Sequence, residues 1–214
     1  MTCSAVSPRR STPAVLVLLA AALLLAGGCA STDAGSSGPP LAAIEAESLI
    51  NLSLSPRWSQ WLVGPVAVLA TPQEEAAFLA LTDDAAAEAY IDDFWERRKP
   101  YPERPDNPLR EEFEQRAQVA DRLYSEGGRL GSHSARGTIY VLYGKPPRTD
   151  YEIARDPRDP PIEIWFYDGE RQPGLGGEPP APYYRFIKRG QVTEFYRQRT
   201  GIEQARPVRP EDLP

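Results

Sequence analysis

The chain has 214 residues, with 24 Lys and Arg against 30 Asp and Glu, and its formal net charge is −6. This length fits one compact domain with appendages, or at most two small domains. The acidity argues against a protein whose main task is to grip nucleic acid, because phosphate neutralisation requires a clustered basic surface. No nucleic-acid partner is therefore expected.

The N-terminus has the layout of a secretory signal. Arg9 and Arg10 precede the apolar run "AVLVLLAAALLLA", which is followed by "GGC" ending at Cys29. The run is too short to span a hydrocarbon core comfortably as a mature anchor. Removal of residues 1–28 takes away two arginines and no acid, so the mature charge falls to −8. Cys3 leaves with the signal, and Cys29 then has no partner for an internal disulfide.

The sequence "LAGGC" resembles the lipobox of bacterial lipoproteins, in which the cysteine sulfur receives a diacylglycerol. The resemblance implies that Cys29 is lipidated and holds the protein on a membrane. Ala30, rather than an aspartate, follows the cysteine, which implies an outer-membrane anchor facing the periplasm. The alternatives are an ordinary secretory peptide cut elsewhere and an uncleaved membrane helix.

Residues 29–57 are predicted to be the lipidated cysteine and a flexible linker. The stretch 30–40, "ASTDAGSSGPP", has almost nothing to bury. Mixed helical spacing follows, and the segment around Trp58 and Trp61 is either a short strand or a docking segment.

Three helices are predicted next. Thr71, Pro72 and Glu74 form a capping box that starts a helix ending near residue 81. Asp83 and Asp84 open a second helix, whose aromatic face includes Tyr90, Phe94 and Trp95. Asn107 and Pro108 begin a third helix, which Gly127 and Gly128 end. The residues on its apolar side are Leu109, Phe113, Ala117, Ala120 and Tyr124.

Four segments rich in β-branched and aromatic residues then predict strands at 138–144, 162–167, 183–187 and 192–197. Residues 188–191 predict a hairpin turn and antiparallel pairing. Helices followed by strands indicate an α+β class, with the helices packed on one face of a mainly antiparallel sheet. The domain is predicted over 58–197, followed by a C-terminal tail at 198–214. Its expected core includes Phe94, Trp95, Phe113, Tyr140, Leu142 and Trp165.

The region 61–197 resembles the GWxTD-domain family, bacterial envelope proteins without an established biochemical activity. The matching features are Phe94-Trp95 with Arg97 and Arg98, then Asn107, Arg110, Arg116, Arg136-Gly137, Tyr140, Gly144, Pro146 and the strand around Trp165. The naming motif departs from the family: "GSHSA" at 131–135 stands in its place, and only Gly131 is retained. A catalytic motif would have lost its carboxylate here, whereas a turn or packing motif would tolerate the change.

Catalytic candidates are weak. His133 is the only histidine, and neighbouring Ser132 and Ser134 do not by themselves form a nucleophile–base set, so a solvated loop is the favoured interpretation. Gly144-Lys145 lacks the remaining P-loop residues, and the paired acids lack a calcium-loop pattern. No catalytic residue, metal or cofactor is assigned.

The arginines are the most suggestive polar residues. Arg97 and Arg98 are expected to cap the negative end of the second helix; together with Arg110, Arg116 and Arg136 they form either structural pairs or a groove for an acidic ligand. Arg136 is expected to reach an acidic group on the preceding helices, and Gly137 to permit a sharp turn or a close helix approach. The favoured function is a non-enzymatic binding or assembly module with an envelope protein or glycan partner. The alternative is an envelope hydrolase or transferase with its site at 131–137.

Overall fold

A computed structural model describes residues 46–153, 158–169 and 172–196. These residues all belong to one compact unit, Gly35–Pro214. The helices are α1 (Pro65–Leu69), α2 (Pro72–Leu79), α3 (Asp84–Glu96), α4 (Pro108–Tyr124) and α5 (Ala135–Tyr143), and the strands are β1 (Arg148–Glu152), β2 (Ile162–Phe166), β3 (Tyr183–Arg189) and β4 (Val192–Phe195). The strands form one antiparallel sheet in the order β1-β2-β3-β4. The α+β class is therefore confirmed.

The predicted helix starts are confirmed. Thr71 and Glu74 form a reciprocal capping box at the start of α2. The Asp83 side chain accepts a hydrogen bond from the backbone N–H of Ala86, and Asn107 accepts one from Arg110. These side chains satisfy backbone donors that lack an intrahelical partner, which is why they mark the starts so well.

The N-terminal half of the domain is built on an aromatic core. The Trp61 ring packs on Phe78 at 4.9 Å and edge-on to Phe94 at 4.9 Å, and Trp95 packs on Phe113 at 4.8 Å. The segment around Trp61 forms turns and the short helix α1, not a strand. Its tryptophan fills the space between α2 and α3, so this segment docks within its own domain.

Residues 46–57 belong to the packed domain, which corrects their assignment to the linker. They begin with the 3₁₀ turn Ala46–Leu49. Leu49 and Leu54 are buried in the helical core, and the Asn51 amide donates to the carbonyls of Phe78 and Leu81 at 2.9 and 3.0 Å. Because Asn51 binds carbonyls at the end of α2, the domain begins before Trp58.

Residues 138–143 are helical, so the prediction of a strand at 138–144 is wrong. They form most of α5, which Ser134 caps and Gly144 ends with a φ of 77°. Ile139, Val141 and Leu142 are all buried in this helix, and the expected alternation of two strand faces does not exist. Because this helix is buried on most sides, its sequence has few polar residues, and a helical period cannot be told from a strand period. Packing in the folded domain outweighs the preference of its β-branched and aromatic residues for strands.

Strands β2, β3 and β4 confirm the remaining strand predictions within the described residues. The hairpin turn is shorter than predicted: Arg189 pairs with Val192, and Gly190 occupies the turn with a φ of 61°. Residue 197 and the predicted tail lie outside the described residues. Strand β1 was not predicted, because "RTDYE" is polar and four of its five residues are exposed.

The sheet packs one face against the helices. Ile139 of α5 shares a buried cluster with Trp165, Tyr184 and Phe186. Four of the six expected core residues, Phe94, Trp95, Leu142 and Trp165, are buried, and Phe113 and Tyr140 are half-buried. In the part of the chain that the structure describes, no helix combines the length and apolar character needed to cross a bilayer.

Replacing Trp95 by Ala should destabilise the domain by about 3–5 kcal/mol, because its side chain is buried and packs against two other rings. The free energy of unfolding from urea titration measures this. Leu52→Ala, at a site 89% exposed, is the control and should change stability by less than about 0.5 kcal/mol. Equal stability of the two variants would contradict the placement of Trp95.

Candidate functional site

The segment from Gly131 to Gly137 connects α4 to α5 through close backbone contacts. Gly131–His133 forms a 3₁₀ turn that packs on α4. A Cβ on Gly131 would lie 2.7 Å from the carbonyl carbon of Ala120, and one on Gly137 would lie 2.6 Å from the carbonyl carbon of Gly131. Both glycines are therefore required for close approach, as expected for Gly137, and neither has a positive φ.

Buried serine and backbone groups complete this contact. The Ser134 hydroxyl donates to the Gly131 carbonyl at 2.7 Å and accepts from the Gly137 N–H at 3.0 Å. The backbone N–H of Ser132 donates to the Asp121 carboxylate at 2.7 Å. The segment enters a helix rather than a strand, and Ser134 is the N-cap of that helix.

His133 is half-buried, so the interpretation of a solvated loop histidine is wrong. Its Nδ1 atom is buried without a hydrogen-bond partner among the residues that the structure describes. Burial lowers the pKa of the imidazole below its usual 6.5, and the charge of Asp121 opposes this shift. Because the His133 Nδ1 atom has no partner and Asp121 binds the backbone N–H of Ser132, no relay of hydroxyl, imidazole and carboxylate is seen among the described residues.

Arg136 joins the helices to the sheet, but its acidic partners lie just beyond α4 and on β2 rather than on the preceding helices, where a partner was expected. Its guanidinium donates to Glu126, just beyond α4, at 3.1 Å and to Glu163 on β2 at 3.3 Å. Glu126 also accepts from the backbone N–H and the hydroxyl of Thr193 on β4, at 2.7 and 2.8 Å. Trp165 donates its indole N–H to Glu163 at 2.7 Å. Two carboxylates around one arginine thus bind α5 to both β2 and β4.

Glu74 holds a second arginine cluster, between α2 and α3. Arg98 donates to both oxygens of this carboxylate at 2.9 and 2.6 Å, and Arg97 donates to one oxygen at 3.1 Å. The Arg98 bonds are the largest cause that lowers the pKa of the Glu74 carboxyl from 4.5 to about 2, against the opposing effect of burial. Arg98 also donates to the carbonyls of Leu69 and Phe94, so its expected role as a helix cap is confirmed.

Arg110 and Arg116 make separate contacts. Arg110 bridges Asp92 on α3 and Glu114 on its own helix, at 2.9 and 2.8 Å. Arg116 pairs with Glu112 at 2.6 Å and donates to the carbonyls of Val141 and Leu142 at 3.2 Å each. Arg116 therefore caps the last turn of α5, which corresponds to the favourable position for a cation at the negative end of a helix.

The five arginines thus form structural pairs: Arg97 and Arg98 share Glu74, and the other three lie at separate contacts. Glu126 and Glu163, the acceptors of Arg136, were not predicted from the sequence. Glu163 had a signal, because a single charge stands among the apolar residues of "IEIWF", whereas nothing in the local pattern marked Glu126. Across residues 46–153, 158–169 and 172–196, no three His, Cys, Asp or Glu side chains form a group suited to a metal ion.

Comparison of the chain with protein-family models, with curated proteins and with solved structures finds no match.

Gly137→Ala should destabilise the domain by more than about 3 kcal/mol, because the added methyl group would overlap the Gly131 carbonyl. Thermal and urea unfolding measure the loss. Gly176→Ala is the matched control, since its Cβ would meet only the end of the Leu69 side chain at 3.3 Å. That control should stay within about 1 kcal/mol of the wild type, and equal effects of the two substitutions would refute the close-approach argument.

Arg136→Ala should cost roughly 2–4 kcal/mol, because it leaves two largely buried carboxylates, 12% and 19% exposed, without their shared cation. Arg110→Ala should cost about 1 kcal/mol or less, since its partners are more than half exposed. A double-mutant cycle of Arg136→Ala with Glu163→Gln should show coupling, measured by urea unfolding. Additive effects would show that the pair does not contribute to stability.

Proposed function

We propose that this chain is a lipid-anchored protein of the bacterial cell envelope, held at the outer membrane and facing the periplasm. Its folded domain is a non-enzymatic binding or assembly module for an envelope protein or glycan. The proposal includes membership of the GWxTD-domain family, as a divergent member.

The anchor is supported by the N-terminal sequence. A charged start, an apolar run and "LAGGC" place Cys29 at the expected acylation position. The chain from Cys29 to Ala46, where the described residues begin, has a Ser-, Gly- and Pro-rich first half. This composition predicts a flexible linker, and that stays a prediction because residues 29–45 lie outside the described residues.

A non-enzymatic role is supported chiefly by residues 131–137, which include the position of the GWxTD motif. Their contacts are structural. Gly131 and Gly137 contribute close backbone approach, and Ser134, at the position of the motif's threonine, caps α5. A hydroxyl at this position has a structural use in either residue type. The motif therefore acts as a packing device, which tolerates replacement of its tryptophan and aspartate.

The hydrolase or transferase alternative is less well supported. A general base at His133 would need an orienting acceptor, yet its buried Nδ1 has none among the described residues. The five arginines are also engaged by carboxylates of the chain itself, which favours a structural role over an anion-binding groove.

Membrane fractionation and mass spectrometry test the lipid anchor, and cross-linking in intact cells tests the binding role. The wild-type protein should fractionate with the outer membrane, carry a diacylated or triacylated Cys29 by mass spectrometry, and yield a reproducible cross-linked protein or glycan. Cys29→Ala should release the protein from the membrane. Cys3→Ala is the matched control and should leave the anchor unchanged, because Cys3 is removed with the signal.

A soluble wild-type species with a different N-terminus would refute the anchor. An anchored protein that yields no reproducible partner, but hydrolyses a cell-envelope ester or glycoside and loses that activity in His133→Ala, would favour the enzymatic alternative.

A further inference from the structure

Among the described residues, no strand pairs with the outer edge of β1, so this edge offers a row of backbone groups to an additional strand. The Tyr167 N–H donates to the Pro182 carbonyl at 2.9 Å, which fixes the odd-numbered residues of β2 as those bonded toward β3. In an antiparallel sheet such bonding alternates along each strand. The even-numbered residues of β2 therefore bond toward β1, and their partners on β1 are Arg148, Asp150 and Glu152.

The remaining residues of this edge, Thr149, Tyr151 and Ile153, direct their backbone groups away from the sheet. The Tyr151 side chain is 66% exposed and that of Ile153 is 92% exposed. Neighbouring exposed apolar side chains beside open backbone groups are typical of an edge that pairs with another strand.

The two edges of the sheet are closed in different ways. At β4, the outward N–H of Thr193 is held by Glu126, whose side chain is only 12% exposed and is fixed by Arg136. At β1, the outward N–H of Tyr151 donates to the neighbouring Asp150 carboxylate at 2.8 Å, and that side chain is 64% exposed. The closure at β4 is thus built into the helix–sheet junction, whereas the one at β1 can be displaced by a rotation of one exposed side chain.

Charge argues against a second copy of this chain as the added strand. Pairing Thr149 with Tyr151 of an antiparallel copy places Asp150 opposite itself. The same register places Arg148 opposite Glu152, but these side chains are already paired with Asp168 and Arg185 of their own chain, so the new pairs would compete with existing ones. Pairing Tyr151 with itself places Asp150 opposite Glu152. Pairing Arg148 with Asp150 places Pro147 opposite Tyr151, where proline has no N–H to donate. Like charges directly opposite each other on neighbouring strands are destabilising.

We propose that the β1 edge binds an extended segment of another protein that carries a basic side chain opposite Asp150 and apolar side chains opposite Tyr151. On docking, a carbonyl of the incoming strand accepts the Tyr151 N–H, and the displaced Asp150 carboxylate pairs with the incoming cation. Arg148 lies 3.7 Å from Asp150 but is shared with Asp168 at 3.2 Å, while Glu152 is paired with Arg185. Asp150 is therefore the carboxylate that selects the partner's charge.

This inference deepens the proposed binding role and rests on it. Its test uses the mature full-length protein in detergent micelles and two synthetic seven-residue peptides. Both alternate Val and Thr, and their central residue is Lys in one and Glu in the other. The Lys peptide should bind about 5- to 10-fold more tightly by fluorescence anisotropy, since opposite and like cross-strand charges differ by about 1 kcal/mol. Hydrogen exchange should slow at residues 149–153.

Asp150→Asn should reduce the preference for the Lys peptide to less than about twofold, because the charge pair is lost. The matched control is Asp168→Asn, which removes another exposed carboxylate beside Arg148 and should keep the preference. Tyr151→Pro should abolish binding, since it removes the outward N–H without removing a β1–β2 bond, and circular dichroism checks that it folds.

Each of five results would overturn the inference. In peptide binding they are no binding, equal affinity for the two peptides, and an unchanged preference in Asp150→Asn. The other two are slowed hydrogen exchange outside 149–153 and dimerisation through β1 in sedimentation. If peptides fail to bind while cross-linking in cells still recovers a partner, only the edge inference is wrong. If cross-linking also recovers nothing, the binding role itself fails.

Discussion

The close contact between Gly137 and the Gly131 carbonyl determines how the two halves of the domain meet. Because no side chain fits between them, the first turn of α5 lies directly on the 3₁₀ turn that itself packs on α4. That position places Arg136, the preceding residue, between Glu126 and Glu163. A shift of α5 by the width of one methyl group would break both ion pairs, so the charge network depends on a backbone contact.

Carboxylates link elements in both halves of the molecule. Glu74 closes the start of α2 and binds two arginines from the end of α3. Glu126 binds α5 through Arg136 and β4 through Thr193. In each case one acid satisfies backbone donors as well as a guanidinium, so a single side chain fixes the relative position of several elements. The arginines of the family resemblance thus have structural partners whose positions the sequence does not reveal.

Local signals predicted the helix starts, because a capping side chain and the backbone N–H that donates to it lie within three residues of each other. Ser134 and Gly144 also mark the ends of a helix around 135–143, yet the β-branched and aromatic residues between them pointed to a strand. That helix is buried on most sides, so its identity depends on packing against distant residues. The prediction that Arg136 would find an acidic partner was correct, but the partner on β2 is 27 residues away along the chain. Strand β1 lacked a pattern because both of its faces are largely exposed.

The entry of the chain into the fold at Leu49 and Leu54 has a mechanical consequence. These side chains are buried in the helical core, and Asn51 between them donates to two carbonyls around the end of α2. A force applied through the residues before Ala46 would therefore act first on buried leucines and on these two hydrogen bonds, not on a loose surface loop. The attachment point is therefore a buried part of the domain, next to the aromatic core around Phe78.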